Sequence, residues 1–229
     1  MTNDIKTEVA RKSAEVLQKI RADPKLSSYV SPTDKIPGVY MEADDIKNIR
    51  LVVIGQDPTV KREKPRETIN TVLNLDKPRG NLYRYISEIC EGLGLDLRQH
   101  VYATNYAKNF FISPPTQIKE CNLLEKFGRY WLPLLQEELS RFPDRLILTL
   151  GQPLLKALVI DPRKALVRWY WRYSPDWKES RKTDFLYVVP EDNKLKRRLF
   201  PFPHQPSLRK PFYKATLQAY LGYMKTNMT

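Results

Sequence analysis

An acid on a tight turn and an imidazole on a stiff loop are the two groups in this chain best suited to chemistry. Asp57 follows the apolar run Leu51-Val52-Val53-Ile54 and lies within Gly55-Gln56-Asp57-Pro58. A carboxylate there can orient a water or stabilise a neighbouring positive charge. It can equally serve as a turn or cap aspartate, which is common. His204 lies in Pro201-Phe202-Pro203-His204-Gln205-Pro206-Ser207-Leu208. Proline restricts the backbone, so this loop can hold an imidazole against a substrate without an ordering cost at binding. A loop histidine with no role is the competing reading, and His100, among Arg98, Gln99 and Val101, shows what that looks like. Asn105, in Val101-Tyr102-Ala103-Thr104-Asn105-Tyr106, carries a donor and an acceptor on one amide. That suits the edge of a base as well as the end of a strand.

These groups need elements to position them. Short apolar runs at 49–54, 101–104, 146–150 and 185–189 read as buried strands. Helical periodicity covers 4–21, 81–92, 120–141, 152–159 and 208–224, with Pro133 expected to kink the third of these. The Pro-containing stretch 24–37 and the charged stretch 62–66 read as loops. Buried strands alternating with helices predict an α/β fold, a three-layer α/β/α arrangement around a mainly parallel four-stranded sheet. In such sheets ligands gather outside the carboxyl ends of the strands. Asp57, Asn105, Gly151 and His204 each end or follow one of the four runs, so one site is expected there. A single domain, 1–229, is expected, with a helical extension at 1–45 and a basic-aromatic insertion at about 161–183.

Composition narrows the partners. Lysine and arginine number 39 against 26 acids, a formal charge of +13. That excess favours a polyanion, because each phosphate neutralised releases counterions. No apolar run reaches the length of a membrane span, and Met1-Thr2-Asn3-Asp4 lacks a signal peptide's basic start. Two cysteines, Cys90 and Cys121, are too few for a disulfide framework or a four-cysteine metal site. A reducing cytoplasm, no membrane, no metal and a monomer without an obligate protein partner are the expectations.

Taken together, the motifs are more specific than their parts. Gly55-Gln56-Asp57-Pro58 resembles the first motif of the main uracil-DNA glycosylase family, Gly-Gln-Asp-Pro-Tyr-His. His204-Gln205-Pro206-Ser207-Leu208 resembles the second, His-Pro-Ser-Pro-Leu-Ser. Between them, the stretch from Tyr102 to Lys108 resembles the Thr-Asn-Val-Val-Lys segment of the superfamily's thermophilic branch. The stretch from Leu148 to Lys156 looks like the Gly-containing strand-to-helix segment that precedes the second motif. All four occur in the superfamily's order.

The resemblance implies a monofunctional DNA glycosylase. It would hydrolyse the N-glycosidic bond of a flipped-out pyrimidine, leaving an abasic site, with no cofactor and no strand cleavage. It implies that Asp57 positions the attacking water and stabilises an oxocarbenium-like sugar. His204 would donate to the O2 of the departing base, where negative charge accumulates. Gly55, Gln56, Pro58, Thr59, Leu73 and Asn105 would hold the base, with backbone N–H groups near Gln56 and Asp57 helping and Asn105 reading its pairing edge. Leu208 would be the wedge that fills the gap in the duplex. Ser207, Arg209, Lys210, Arg197 and Arg198 would contact DNA, with Lys194 and Lys196 alongside.

Departures from the pattern point away from plain uracil. Thr59 and Val60 stand where the family has the tyrosine that excludes a C5 group, and the histidine after it. Val72 and Leu73 occupy the region of the stacking phenylalanine. The iron–sulfur cysteines of the thermophilic branch are missing, Cys121 having no partners. The expected target is therefore a C5-modified pyrimidine. Some bacterial members of the superfamily look built for such bases, including glucosylated hydroxymethylcytosine in phage DNA, whose removal is an antiviral defence. An ordinary uracil-DNA glycosylase of base excision repair, a catalytically silent damage-binding relative and an RNA-binding protein of the same topology are the alternatives. Within 163–182, Arg168-Trp169-Tyr170-Trp171-Arg172-Tyr173 and Trp177 leave two readings open: rings that stack on bases, or a hairpin whose rings pack on the core.

Overall fold

The computed structural model describes residues 2–60, 64–120, 122–175 and 184–228. Among them four strands, β1 (Leu51–Gly55), β2 (Val101–Asn105), β3 (Leu146–Leu150) and β4 (Leu199–Phe202), form one sheet in the order β2-β1-β3-β4. Every pairing is parallel. Every strand residue is buried, as a parallel sheet covered on both faces requires. Apolar residues fill most of the strand positions, so there is no alternation of polar and apolar faces to read.

Helices supply the cover and crossovers: α1 (Thr2–Arg21), α2 (Asn81–Leu93), α3 (Leu97–His100), α4 (Leu123–Ser140), α5 (Gln152–Leu158), α6 (Val167–Tyr170) and α7 (Pro211–Lys225). One layer pairs α1 with α4, the other α2 with α7. The result is the α/β, three-layer arrangement expected from the alternation of strands and helices. The apolar stripe of α1 buries Ile5, Val9, Leu17 and Ile20. Its polar side pairs Lys12 with Glu137 and Glu8 with Arg141, from α4 and its C-terminal cap. Helix α4 runs continuously through Pro133. Gly94, at φ 73°, ends α2 in the left-handed conformation that glycine adopts without a Cβ penalty. Beyond α1, Tyr40 makes an antiparallel bridge to Ala103 through two 2.9 Å hydrogen bonds, covering the outer edge of β2.

The fourth strand is a correction. The run at 185–189 contributes only Val188, through an antiparallel bridge to Leu199. The fourth strand is Leu199–Phe202, which contains Pro201. Proline argues against a central strand, but β4 closes the parallel ladder on one side, where a missing N–H is tolerated.

Candidate active site

The four parallel strands bring their carboxyl ends to one rim. Gly55 and Asn105 end β1 and β2 in direct register, Gly151 follows β3, and His204 lies just past β4. At this rim opens a cavity of about 490 Å³ whose wall includes Gly55, Gln56, Asp57, Pro58, Thr59, Leu73 and His204. The acid and the imidazole singled out in the sequence thus face the same space.

Asp57 is held by its own turn. Its carboxylate accepts the Thr59 backbone N–H at 2.7 Å and the Gln56 side-chain N–H at 2.7 Å. The Thr59 hydroxyl accepts the Phe111 N–H at 2.8 Å, tying the turn to a neighbouring segment. Burial pushes the Asp57 pKa up to about 6, against the lowering effect of the Thr59 and Gln56 hydrogen bonds and of Arg66. Asp57 is therefore both a turn aspartate and an acid on the cavity wall.

The loop that delivers His204 is held at three consecutive carbonyls. Trp171 Nε1 donates to Pro201 O at 2.7 Å, Gly151 N–H to Phe202 O at 2.9 Å, and Tyr85 hydroxyl to Pro203 O at 2.9 Å. The His204 carbonyl in turn accepts the Ser207 N–H at 2.7 Å. Gly151 stands at φ 89°, a conformation that L side chains rarely adopt, where β3 turns beside His204. Partial burial lowers the His204 pKa, favouring neutral imidazole, which offers one N–H donor.

Asn105 is near the cavity without lining it. Its side chain is buried and its Oδ1 accepts no hydrogen bond from the described residues. Leu73, held at φ 57°, lines the cavity and crowds the same point above Gly55.

Behind Asn105 lies a buried polar cluster. Lys108 Nζ is 2.6 Å from Glu138 Oε1 and donates to Thr104 Oγ1 at 2.6 Å and to the Asn105 carbonyl at 3.1 Å. Tyr102 donates to Glu138 Oε2 at 2.8 Å. The Lys108 charge is thus compensated inside the core and fixes the backbone at the end of β2.

Residues 205–209 form a 3₁₀ turn. Ser207 and Leu208 are half-buried, while Arg209 and Lys210 are exposed. Leu208 and Arg209 line a second groove with Asn81, Arg84 and Lys214, and Gln205 is common to this groove and the cavity. Arg197 and Arg198 do not join this site, which corrects the grouping of all the basic residues near His204. They precede β4 and so lie at the amino end of the sheet, beside Asp144 and Leu146 at the start of β3. Arg197 donates to the carbonyls of Leu139, Phe142 and Arg145, anchoring the end of α4. Lys196 lines the same amino-end groove, and Lys194 donates to Ala157 O at 2.7 Å.

Two contributors carry no local signal in the sequence. Arg66, 5 % exposed, donates to the carbonyls of Val60, Phe111 and Ile112 and so staples two segments beside the site together. In sequence it belongs to a charged stretch with nothing to mark it as buried. Asn74, at φ 52°, lines the cavity next to Leu73. The expected charged loop at 62–66 lies partly outside the described residues, as do Cys121 and Trp177. Cys90 is a buried free thiol whose pKa burial pushes up to about 12.

Among the described residues no helix is long and apolar enough to cross a membrane, and no group of three or more His, Cys, Asp or Glu side chains could hold a metal. No protein-family model matches the chain, and no curated protein matches it.

Proposed function

We propose that this protein is a monofunctional DNA glycosylase that releases a C5-substituted pyrimidine from a flipped-out nucleotide. The observation that carries the reading is the shared cavity of about 490 Å³ with Asp57 and His204 in its wall. The ordered motifs that resemble the uracil-DNA glycosylase superfamily give the reaction. The Asp57 carboxylate orients a water towards C1′ and stabilises the developing sugar cation. His204, neutral, donates its N–H to the base oxygen as the C–N bond breaks and the electron pair leaves with the base. Water supplies the hydroxyl at C1′, its proton passes to the Asp57 carboxylate and ends on the released base, and the product is an abasic site. The groove with Arg84, Arg209 and Lys214 supplies charge for the flanking backbone, and Leu208 lines that groove beside Gln205, which borders both spaces.

The residues of the cavity wall support the choice of base. Thr59 and Val60 stand where the family has its tyrosine and histidine, Leu73 lies in the region of its stacking phenylalanine, and all three line the cavity. The test is base release from otherwise identical oligonucleotides carrying uracil, 5-hydroxymethyluracil, 5-hydroxymethylcytosine or glucosyl-5-hydroxymethylcytosine. Release of a substituted base, with uracil slower by about tenfold or more, is the expected result. Efficient release of uracil alone indicates an ordinary repair enzyme. Release of none, with binding intact, indicates a silent reader of modified DNA and overturns the reading.

A further inference from the structure

The segment 168–173 carries two aromatic rings that the core leaves about half exposed. Tyr170 and Trp171 are buried, and Trp171 stacks on Tyr220 with centroids 4.2 Å apart. Trp169 and Tyr173, in contrast, are 55 % and 44 % exposed. Tyr173 N–H bonds the Arg168 carbonyl at 3.0 Å, closing the turn that presents both rings. Arg172 is engaged with Asp184 at 2.7 Å, whereas Arg168 is exposed.

This turn packs against the start of α7. Tyr173 meets Phe212 edge-on at 4.9 Å, and Phe212 meets Tyr213 at 5.2 Å. Arg168 and Tyr173 both act electrostatically on Tyr213. Phe212 and Tyr213 occupy the first turn of α7, directly after Arg209 and Lys210. Tyr173 is thus seated on the first turn of α7, which follows Arg209 and Lys210 in the chain, and Trp169 lies on the same short turn as Tyr173. Two large rings within five residues leave about half their surface in water and forgo the gain of full burial. Exposed rings interleaved with cations match a strand of nucleic acid, whose bases stack while its phosphates are neutralised.

We propose that Trp169 and Tyr173, with Arg168, form a stacking platform for unpaired bases of the DNA strand that leaves the Gln205–Arg209 turn. The platform rests on the glycosylase reading only in taking DNA as the partner. It would hold a locally opened or single-stranded segment beside the flipped nucleotide.

An anisotropy titration tests this with two probes of equal length: an oligothymidylate of about 16 nucleotides, and its counterpart built of abasic units, which keeps the phosphates and lacks the bases. The wild-type protein is expected to prefer the oligothymidylate by roughly tenfold or more. Trp169→Ala with Tyr173→Ala should erase that preference, and Trp169→Phe with Tyr173→Phe should retain most of it. Thermal melting confirms that the variants fold. Equal binding of the two probes by the wild type, or a preference that survives the double alanine change, overturns the platform. Base release from a duplex then decides the glycosylase reading separately. A protein that binds neither probe and no duplex overturns both.

Discussion

Gly55 lies directly under the carboxamide of Asn105. The two residues are register partners at the ends of β1 and β2, and a Cβ on Gly55 would collide with Asn105 Oδ1 and stand 2.8 Å from Leu73 Cδ2. Gly55→Ala should therefore displace Asn105 or Leu73 and destabilise the protein by about 1–3 kcal/mol, the usual cost of overpacking. Urea denaturation measures it. The same variant should lower base release, since Leu73 lines the cavity and Asn105 ends the strand beside it.

The raised pKa of Asp57 sets two pH dependences. The unfolded chain titrates this group near its ordinary value of 3.8, and the folded protein at about 6. Between these values the native state binds more protons than the unfolded one. Stability from this group is therefore greatest below the lower value and falls as pH rises towards the upper one. Asp57→Asn should flatten that decline and make the protein more stable at neutral pH by about 1–3 kcal/mol. Activity should move the opposite way. Single-turnover base release should rise with pH to a plateau above about 6, as the carboxylate forms, and the Asn variant should lose about a hundredfold or more.

Tyr85 positions His204 through Pro203, its hydroxyl reaching the carbonyl at 2.9 Å from α2. Tyr85→Phe removes that bond and keeps the ring. Base release should fall by about tenfold, with a drop of roughly 1 kcal/mol in stability, the worth of one buried hydrogen bond. A fall in kcat at unchanged KM identifies positioning, because the variant leaves the cavity wall intact. An unchanged kcat would show that the loop's other two tethers suffice.

The Lys108–Glu138 pair should behave as a buried ion pair does. Glu138→Ala leaves the ammonium with only Thr104 and the Asn105 carbonyl and should cost about 3–5 kcal/mol. Replacing both partners with apolar residues, Lys108→Met with Glu138→Leu, should cost less than the single change. Denaturant titration of the three proteins checks the order.

Two sets of basic residues should separate in salt. Arg209→Ala with Lys210→Ala should reduce the slope of log K against log salt by about 0.9 for each phosphate that is no longer neutralised. Arg197→Ala should leave that slope unchanged and destabilise the fold, because its guanidinium holds three carbonyls around the end of α4. A binding titration at several salt concentrations, paired with a melt, distinguishes the two.

Much of the fold is legible in the sequence because its signals are local. Leu51–Gly55, Val101–Asn105 and Leu146–Leu150 are apolar runs ended by residues that stop strands, and the long helices show their periodicity directly. The place of Asp57 at a strand end follows from its own run, whereas His204 follows Leu199–Phe202 and not the run at 185–189. The fourth strand is not legible in this way, because Pro201 disqualifies a strand unless its place in the sheet is known, and strand order is a long-range property. Arg197 and Arg209 look alike in sequence, yet they fall at opposite ends of the sheet, and only chain direction through β4 separates them. The stretch 168–173 within the insertion is the clearest division. Sequence determined that rings and arginines alternate there. The tertiary structure decided that Trp171 belongs to the core, against Tyr220, and that Trp169 and Tyr173 face water. Which ring is buried depends on what a distant helix places opposite it, and no local pattern contains that information.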